Sequence, residues 1–269
     1  MNIYRFELKQ LRGSMIGWTV AVCCFVAVYL GMYPLFATSG FVVAEMFSRF
    51  PETLQSLYGM TNLDLSTITG FLPFPMKLVE ELLAVGGLML GIRSAAHDTR
   101  EHCADFLYAK PVSRRRIFLA KAGSIFTMGA ELFLATALFT GGAAALVAHG
   151  GLPLKNLLAS AFIVSLLFCL YASAGLLVGS RFPGIRGTAA IGVASMFFFH
   201  IVFSICKVIT KNPGSLAVRL LVPVCLFDRE LAAGSGVIEW PFFLLWCVET
   251  ALLLFCACRI LERRDVVSG

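Results

Sequence analysis

Uninterrupted apolar stretches long enough to cross a lipid bilayer dominate this sequence. Residues 15–36 read MIGWTVAVCCFVAVYLGMYPLF, without a single charge. A helix rises about 1.5 Å per residue and the hydrocarbon layer is about 30 Å thick, so about 20 such residues span it. Comparable stretches occupy 74–95, 117–147, 156–180, 188–210 and 239–258. Only helices and closed barrels satisfy every backbone polar group in lipid. The pattern therefore predicts an all-α polytopic membrane protein with six transmembrane helices, forming a single domain over 1–269. Composition points the same way: 14% of residues are charged, against about 25% in a soluble domain.

The formal charge of +6 does not indicate a nucleic-acid partner, because the basic residues flank the apolar runs. On one side fall Arg5, Lys9, Arg12, Arg93, Arg100, Lys110, Arg114, Arg115, Arg116, Lys121, Arg181, Arg186, Arg259, Arg263 and Arg264. On the other fall Arg49, Lys77, Lys155, Lys207, Lys211, Arg219 and Arg229. Lysine and arginine accumulate on the cytoplasmic side, so fifteen against seven places both termini in the cytoplasm. Residues 1–13 are expected to form an amphipathic elbow helix on anionic lipid, with Gly13 turning the chain into the first span. Residues 37–70 are too polar to cross and suggest short helices on the outer surface. Seven of the nine cysteines lie in or beside apolar runs, which suits small hydrophobes rather than a disulfide framework.

The cytoplasmic hairpin at 97–113 carries more than orientation requires. In FLYAKPVSRRRIFLAK, Phe106, Leu107 and Tyr108 place apolar bulk just outside the membrane. Pro111 disfavours helix at the residue before it, and Ser113 is suited to cap a helix starting at Arg114. A short helix with an exposed apolar patch implies a partner.

The run AKPVSRRRIFLAK, together with ETLQSLYGM in 37–70 and the terminal LERRD, resembles ABC-type exporter permeases of the second type over most of the chain. The family commonly has Gly-Thr and then a glutamate two residues on; this sequence has His102, Cys103 and Asp105 there, which keeps the charge. The resemblance implies a cytoplasmic coupling helix between spans two and three, docked on a cytosolic ABC ATPase subunit. Asp105, Phe106, Leu107, Tyr108, Pro111, Ser113 and Arg114 would form that contact. It also implies a second permease copy or a homologous one, surrounding membrane lipid, and residence in the plasma (inner) membrane of a bacterium. The sequence contains no G-x-x-x-x-G-K-[ST] phosphate loop. ATP and Mg are therefore expected on the partner, with no cofactor or metal bound by this chain.

Charges at membrane depth carry the remaining information. Helical rise puts Glu249 near mid-depth, and Glu81 and Glu131 about two-thirds of the way out. His200 lies in the middle-to-outer part. Such groups face a cavity or one another, because burying a charge costs on the order of 2.5–3.5 kcal/mol. One reading makes Glu81, Glu131, His200 and Glu249 the lining of a path for a cationic amphiphile, drug, peptide or metal ion. The other pairs Lys77 with Glu80 or Glu81, and Lys207 with a carboxylate, as structural ties. His97 and His102 are too far apart on a helix to share a metal. No catalytic pair is legible, which weighs against an integral membrane enzyme. A membrane scaffold that binds a cytosolic partner without transport is the other alternative.

Overall fold

In the computed structural model the described residues are 3–49, 67–100, 113–147, 154–210, 219, 222, 226–227, 232 and 235–263. They form α1 (Ile3–Ser48), α2 (Ile68–Phe71), α3 (Pro73–Arg100), α4 (Arg114–Val147), α5 (Leu154–Arg181), α6 (Thr188–Thr210) and α7 (Trp240–Arg263), with no strand among them. By length and composition four stretches can cross a membrane: Ile3–Leu35, Arg114–Val147, Leu154–Arg181 and Trp240–Arg263. Thr188–Phe203 in α6 is a shorter apolar stretch. The 28 residues of α3 give sufficient length, but Lys77, Glu80, Glu81 and Arg93 lower its apolar character. The helix limits of α3 to α7 fall within a few residues of the expected runs.

The N-terminal segment differs from expectation. No elbow helix separates at Gly13: α1 continues for 46 residues, about 69 Å at helical rise, and extends through part of the segment expected to hold separate outer helices. Glycine costs a helix interior only about 1 kcal/mol. That is small beside the contacts anchoring the helix on both sides of it. Leu11 before Gly13 and Val22, Val26 and Leu30 after it are buried in one core. One face of the first three turns, carrying Glu7 and Leu11, consequently packs against protein.

Contacts fix the direction of each helix. Trp18 of α1 lies over Gly86, Tyr29 meets Phe74 with ring centroids 5.6 Å apart, and Tyr33 meets Phe71 at 5.4 Å. Rising numbers in α1 thus meet falling numbers in α3, so the two are antiparallel. In contrast, α4 runs parallel to α1, since Glu7 meets Lys121 and Thr19 meets Glu131. Likewise α5 and α7 are parallel: Phe162 stacks on Phe243, and the Trp246 indole donates to the Leu166 carbonyl at 2.8 Å. The starts of α1, α4 and α6 and the ends of α3, α5 and α7 therefore share one end of the bundle. The short connection at 182–187, with Gly187 at φ 74°, returns the chain from α5 into α6 at that end.

The closest packing is between α3 and α5. Each carries glycines four residues apart, Gly87 and Gly91 on one and Gly175 and Gly179 on the other. A Cβ on Gly87 would come within 2.6 Å of the Phe168 carbonyl oxygen, and one on Gly179 within 2.6 Å of the Ile92 carbonyl oxygen. Positions 91 and 175 are tighter still, against the Ala172 and Leu88 carbonyls respectively. Lipid provides no hydrophobic drive between helices, so association relies on close approach of this kind. Outward faces are correspondingly apolar, with Ile16, Val20 and Val28 on α1, Leu134 and Leu138 on α4, and Phe197 and Ile201 on α6 all exposed.

This geometry predicts opposite signs for one substitution at two sites. Gly141→Ala, whose new methyl meets nothing within 4 Å, should raise the thermal midpoint of the detergent-solubilised protein slightly through helix propensity. Gly91→Ala should lower stability by about 2 kcal/mol or more through overpacking. A rise at both sites would show that the α3–α5 approach is not tight.

Candidate functional site

At the end where α1, α4 and α6 begin, the basic residues of the sequence census converge. Arg93, Arg114, Arg115, Arg116, Arg181, Arg186, Arg259 and Arg263 lie within the last two turns of a helix, in its first turn or in the 182–187 connection. The start of α4 is fixed by Ser113, whose carbonyl accepts from the Arg116 and Ile117 amides at 2.9 and 3.2 Å. The Ser113 hydroxyl oxygen also accepts from the Arg116 amide, at 3.4 Å. That is capping chemistry for an otherwise orphaned helix terminus. Arg114 Nη1 donates to the Glu262 carbonyl at 3.2 Å, joining the start of α4 to the end of α7. Asp105, Phe106, Leu107, Tyr108 and Pro111, with the rest of 101–112, lie outside the described residues.

Two turns into α4 is a pair that sequence reading missed. Lys121 Nζ donates to Glu7 Oε1 at 2.9 Å, with the residues 1% and 2% exposed. The Tyr4 hydroxyl lies 2.6 Å from Thr127 Oγ1 on the same seam. A clue was present: Glu7 is the only acid among residues 1–13, which carry three bases, and Lys121 sits seven residues inside an apolar helix. Removing one partner of a buried pair strands the other charge, whereas replacing both does not.

The candidate path residues are spread over different seams. Glu81 Oε1 receives Lys77 Nζ at 3.2 Å, one turn away on α3, which matches the pairing alternative. Glu80, fully buried, lines a small cavity between α3 and α5 with Pro73, Met76, Ser160, Ile163, Val164 and Ala232. Glu131 lies on the α1–α4 seam, where Oε1 accepts from Thr19 Oγ1 at 3.3 Å. Its other oxygen is buried without a hydrogen-bond partner among the described residues. Glu249 is half-buried on α7, and the side chain of His200 lies outside what is described. Among the described residues no group of three or more His, Cys, Asp or Glu is placed to hold a metal.

For the Glu7–Lys121 tie, Lys121→Met alone and Glu7→Gln alone should each lower stability by about 3 kcal/mol. The double variant should recover most of that loss, as read by thermal unfolding in detergent. Additive losses would mean that the two side chains act independently.

A family model described as ABC-2 family transporter protein matches residues 1–266. No curated protein matches the chain. The helical architecture, the apolar outward faces and the near-complete match agree: the chain belongs to the ABC-2 family of transporter proteins.

Proposed function

We propose that this chain is the permease subunit of an ATP-driven exporter, with six helices crossing the bacterial plasma membrane and both termini cytoplasmic. Two permease copies, or this chain and a related one, enclose the translocation path. A separate ABC ATPase supplies ATP and Mg chemistry. The observation that carries the reading is the gathering of basic helix termini at the end from which α3 leaves and α4 returns. By the positive-inside rule that end faces the cytoplasm, where an ATPase can reach the segment between them. In this reading ATP closes the nucleotide-binding subunits and the coupling segment moves as a lever. The spans then reopen outward, a rigid-body alternation of helix groups.

Residues Asp105 to Tyr108, with Pro111, Ser113 and Arg114, are assigned to the ATPase contact. Phe106→Asp or Tyr108→Asp should abolish co-purification of the ATPase subunit while leaving membrane insertion intact. Undiminished co-purification with both variants would remove the assignment. A complex that keeps its ATPase yet moves no substrate on hydrolysis would support a membrane scaffold instead.

Substrate is proposed from charge: carboxylates at depth suit a cationic amphiphile, a cationic drug or peptide, or a metal ion. Glu131, with one oxygen lacking a hydrogen-bond donor, and Glu249 are the stronger path candidates; Glu81 is tied to Lys77. Glu131→Gln and Glu249→Gln should reduce export tenfold or more with little change in melting, whereas Glu81→Gln should chiefly lower stability by stranding Lys77. Vesicle transport beside thermal unfolding separates the two effects. Full transport by the Glu131 and Glu249 variants would exclude them from the path.

A further inference from the structure

Beyond the proposed transport function, α5 and α7 end together on a basic cleft of about 370 Å³ lined by Ser180, Arg181, Arg259, Ile260 and Arg263. Three guanidinium groups share it. Among the described residues the nearby acid is Glu262, whose Oε2 lies 4.0 Å from Arg259 Nη1, against three arginines. Helix C-termini favour cations through their partial negative charge, which accounts for arginine at these positions but not for the buried hydroxyl between them. Ser180 is 1% exposed and lines the cleft, yet its Oγ has no hydrogen-bond partner among the described residues. Other serines of α5 behave differently. Ser160, Ser165 and Ser173 donate to the carbonyls of Asn156, Phe162 and Cys169 at 2.9, 2.7 and 2.8 Å. The Ser180 Oγ is itself covered by protein, so an anion in the cleft is held by the three arginines, whose guanidinium groups are strong donors to oxyanions.

The surface leading to the cleft identifies the anion. On α7, Leu244, Val248, Leu252 and Phe255 are exposed at successive three- and four-residue intervals, and the same stripe reaches Arg259. Arg259 lies over the Phe255 ring with Cζ 5.2 Å from its centroid, and Arg181 lies over Phe182 at 5.1 Å. An apolar track about 17 Å long at helical rise, ending in arginines held by aromatic rings at the membrane boundary, matches an acyl chain joined to an anionic headgroup. It does not match a free ion, which has no use for the track.

We propose that the cleft formed by Ser180, Arg181, Arg259 and Arg263 binds the phosphate of an anionic phospholipid whose acyl chain lies along the Leu244–Phe255 stripe. The guanidinium groups bind the phosphate oxygens, bidentately where geometry permits. Basic pockets between membrane helices at the cytoplasmic boundary suit such headgroups. The lipid then links the ends of α5 and α7 beside the start of α4, where Arg114 already meets the Glu262 carbonyl.

The full chain in neutral detergent, titrated with phosphatidylglycerol, phosphatidylcholine or inorganic phosphate and followed by thermal unfolding, tests this. Phosphatidylglycerol should raise the midpoint saturably and phosphatidylcholine should not. Arg259→Gln and Arg263→Gln lie at exposed positions and leave the core intact. Each should raise the half-saturating phosphatidylglycerol concentration about fivefold. Arg186→Gln, outside the cleft, should leave it unchanged. Equal half-saturation in parent and both arginine variants would overturn the proposal. So would inorganic phosphate that reproduces the full shift with the same variant dependence, because the site would then hold a free anion. Loss of ATPase co-purification in the arginine variants with an unaltered lipid titration would assign the cleft to the protein partner instead.

Discussion

The close approach of α3 to α5 is the constraint on which the remaining arrangement depends. Four glycines bring backbone against backbone where any side chain would collide. In lipid such contact replaces the hydrophobic drive that organises a soluble core. Once α3 and α5 are locked, the positions of the others follow. Trp18 of α1 uses the space at Gly86, and Gly192 of α6 lies against Val85. The Trp246 indole then ties α7 to the far side of α5. The helix with the most Asp, Glu, Lys and Arg residues, α3, is one of the two most buried. This is physically reasonable because Lys77, Glu80 and Glu81 are costly in lipid and tolerable when shielded by protein.

The helix set was legible because its cause is local. Long apolar stretches report bilayer thickness directly, so the helices α3 to α7 lie close to the windows read from residues alone. The α1 boundary was not legible, because Gly13 and the change from charged to apolar composition both look like a break. What keeps the helix whole is remote: a lysine more than a hundred positions away meets Glu7. Tyr33 shows the same limit. It suits a membrane interface by type, yet it is buried against Phe71.

The candidate site divides along similar lines. Pairing of Lys77 with Glu81 was foreseeable from a four-residue spacing on one helix. The setting of Glu131 required knowing that α1 and α4 run side by side, which no local pattern conveys. The glycine pairs in α3 and α5 were present in plain sequence, each a four-residue repeat of small residues. Their significance rests on two such repeats facing each other, and only packing reveals that.

The directions of the helices bear on how force could pass through the proposed exporter. α3, α5 and α7 run one way and are joined by glycine contacts, stacked rings and an indole hydrogen bond. α1 and α4 run the other way and are joined by a buried ion pair and hydroxyl contacts. The chain between Arg100 and Ser113 leaves the first set and enters the second. A displacement applied there acts on both sets at once, pulling on the end of one and the capped start of the other. Each set has a fully buried tie, the Trp246 indole hydrogen bond in the first and the Glu7–Lys121 pair in the second. Between them run the Arg114 hydrogen bond to the Glu262 carbonyl, the Tyr29–Phe74 ring contact and the close approach of Gly129 to Cys169. The connection therefore loads both sets together, as a rigid-body alternation of helix groups requires.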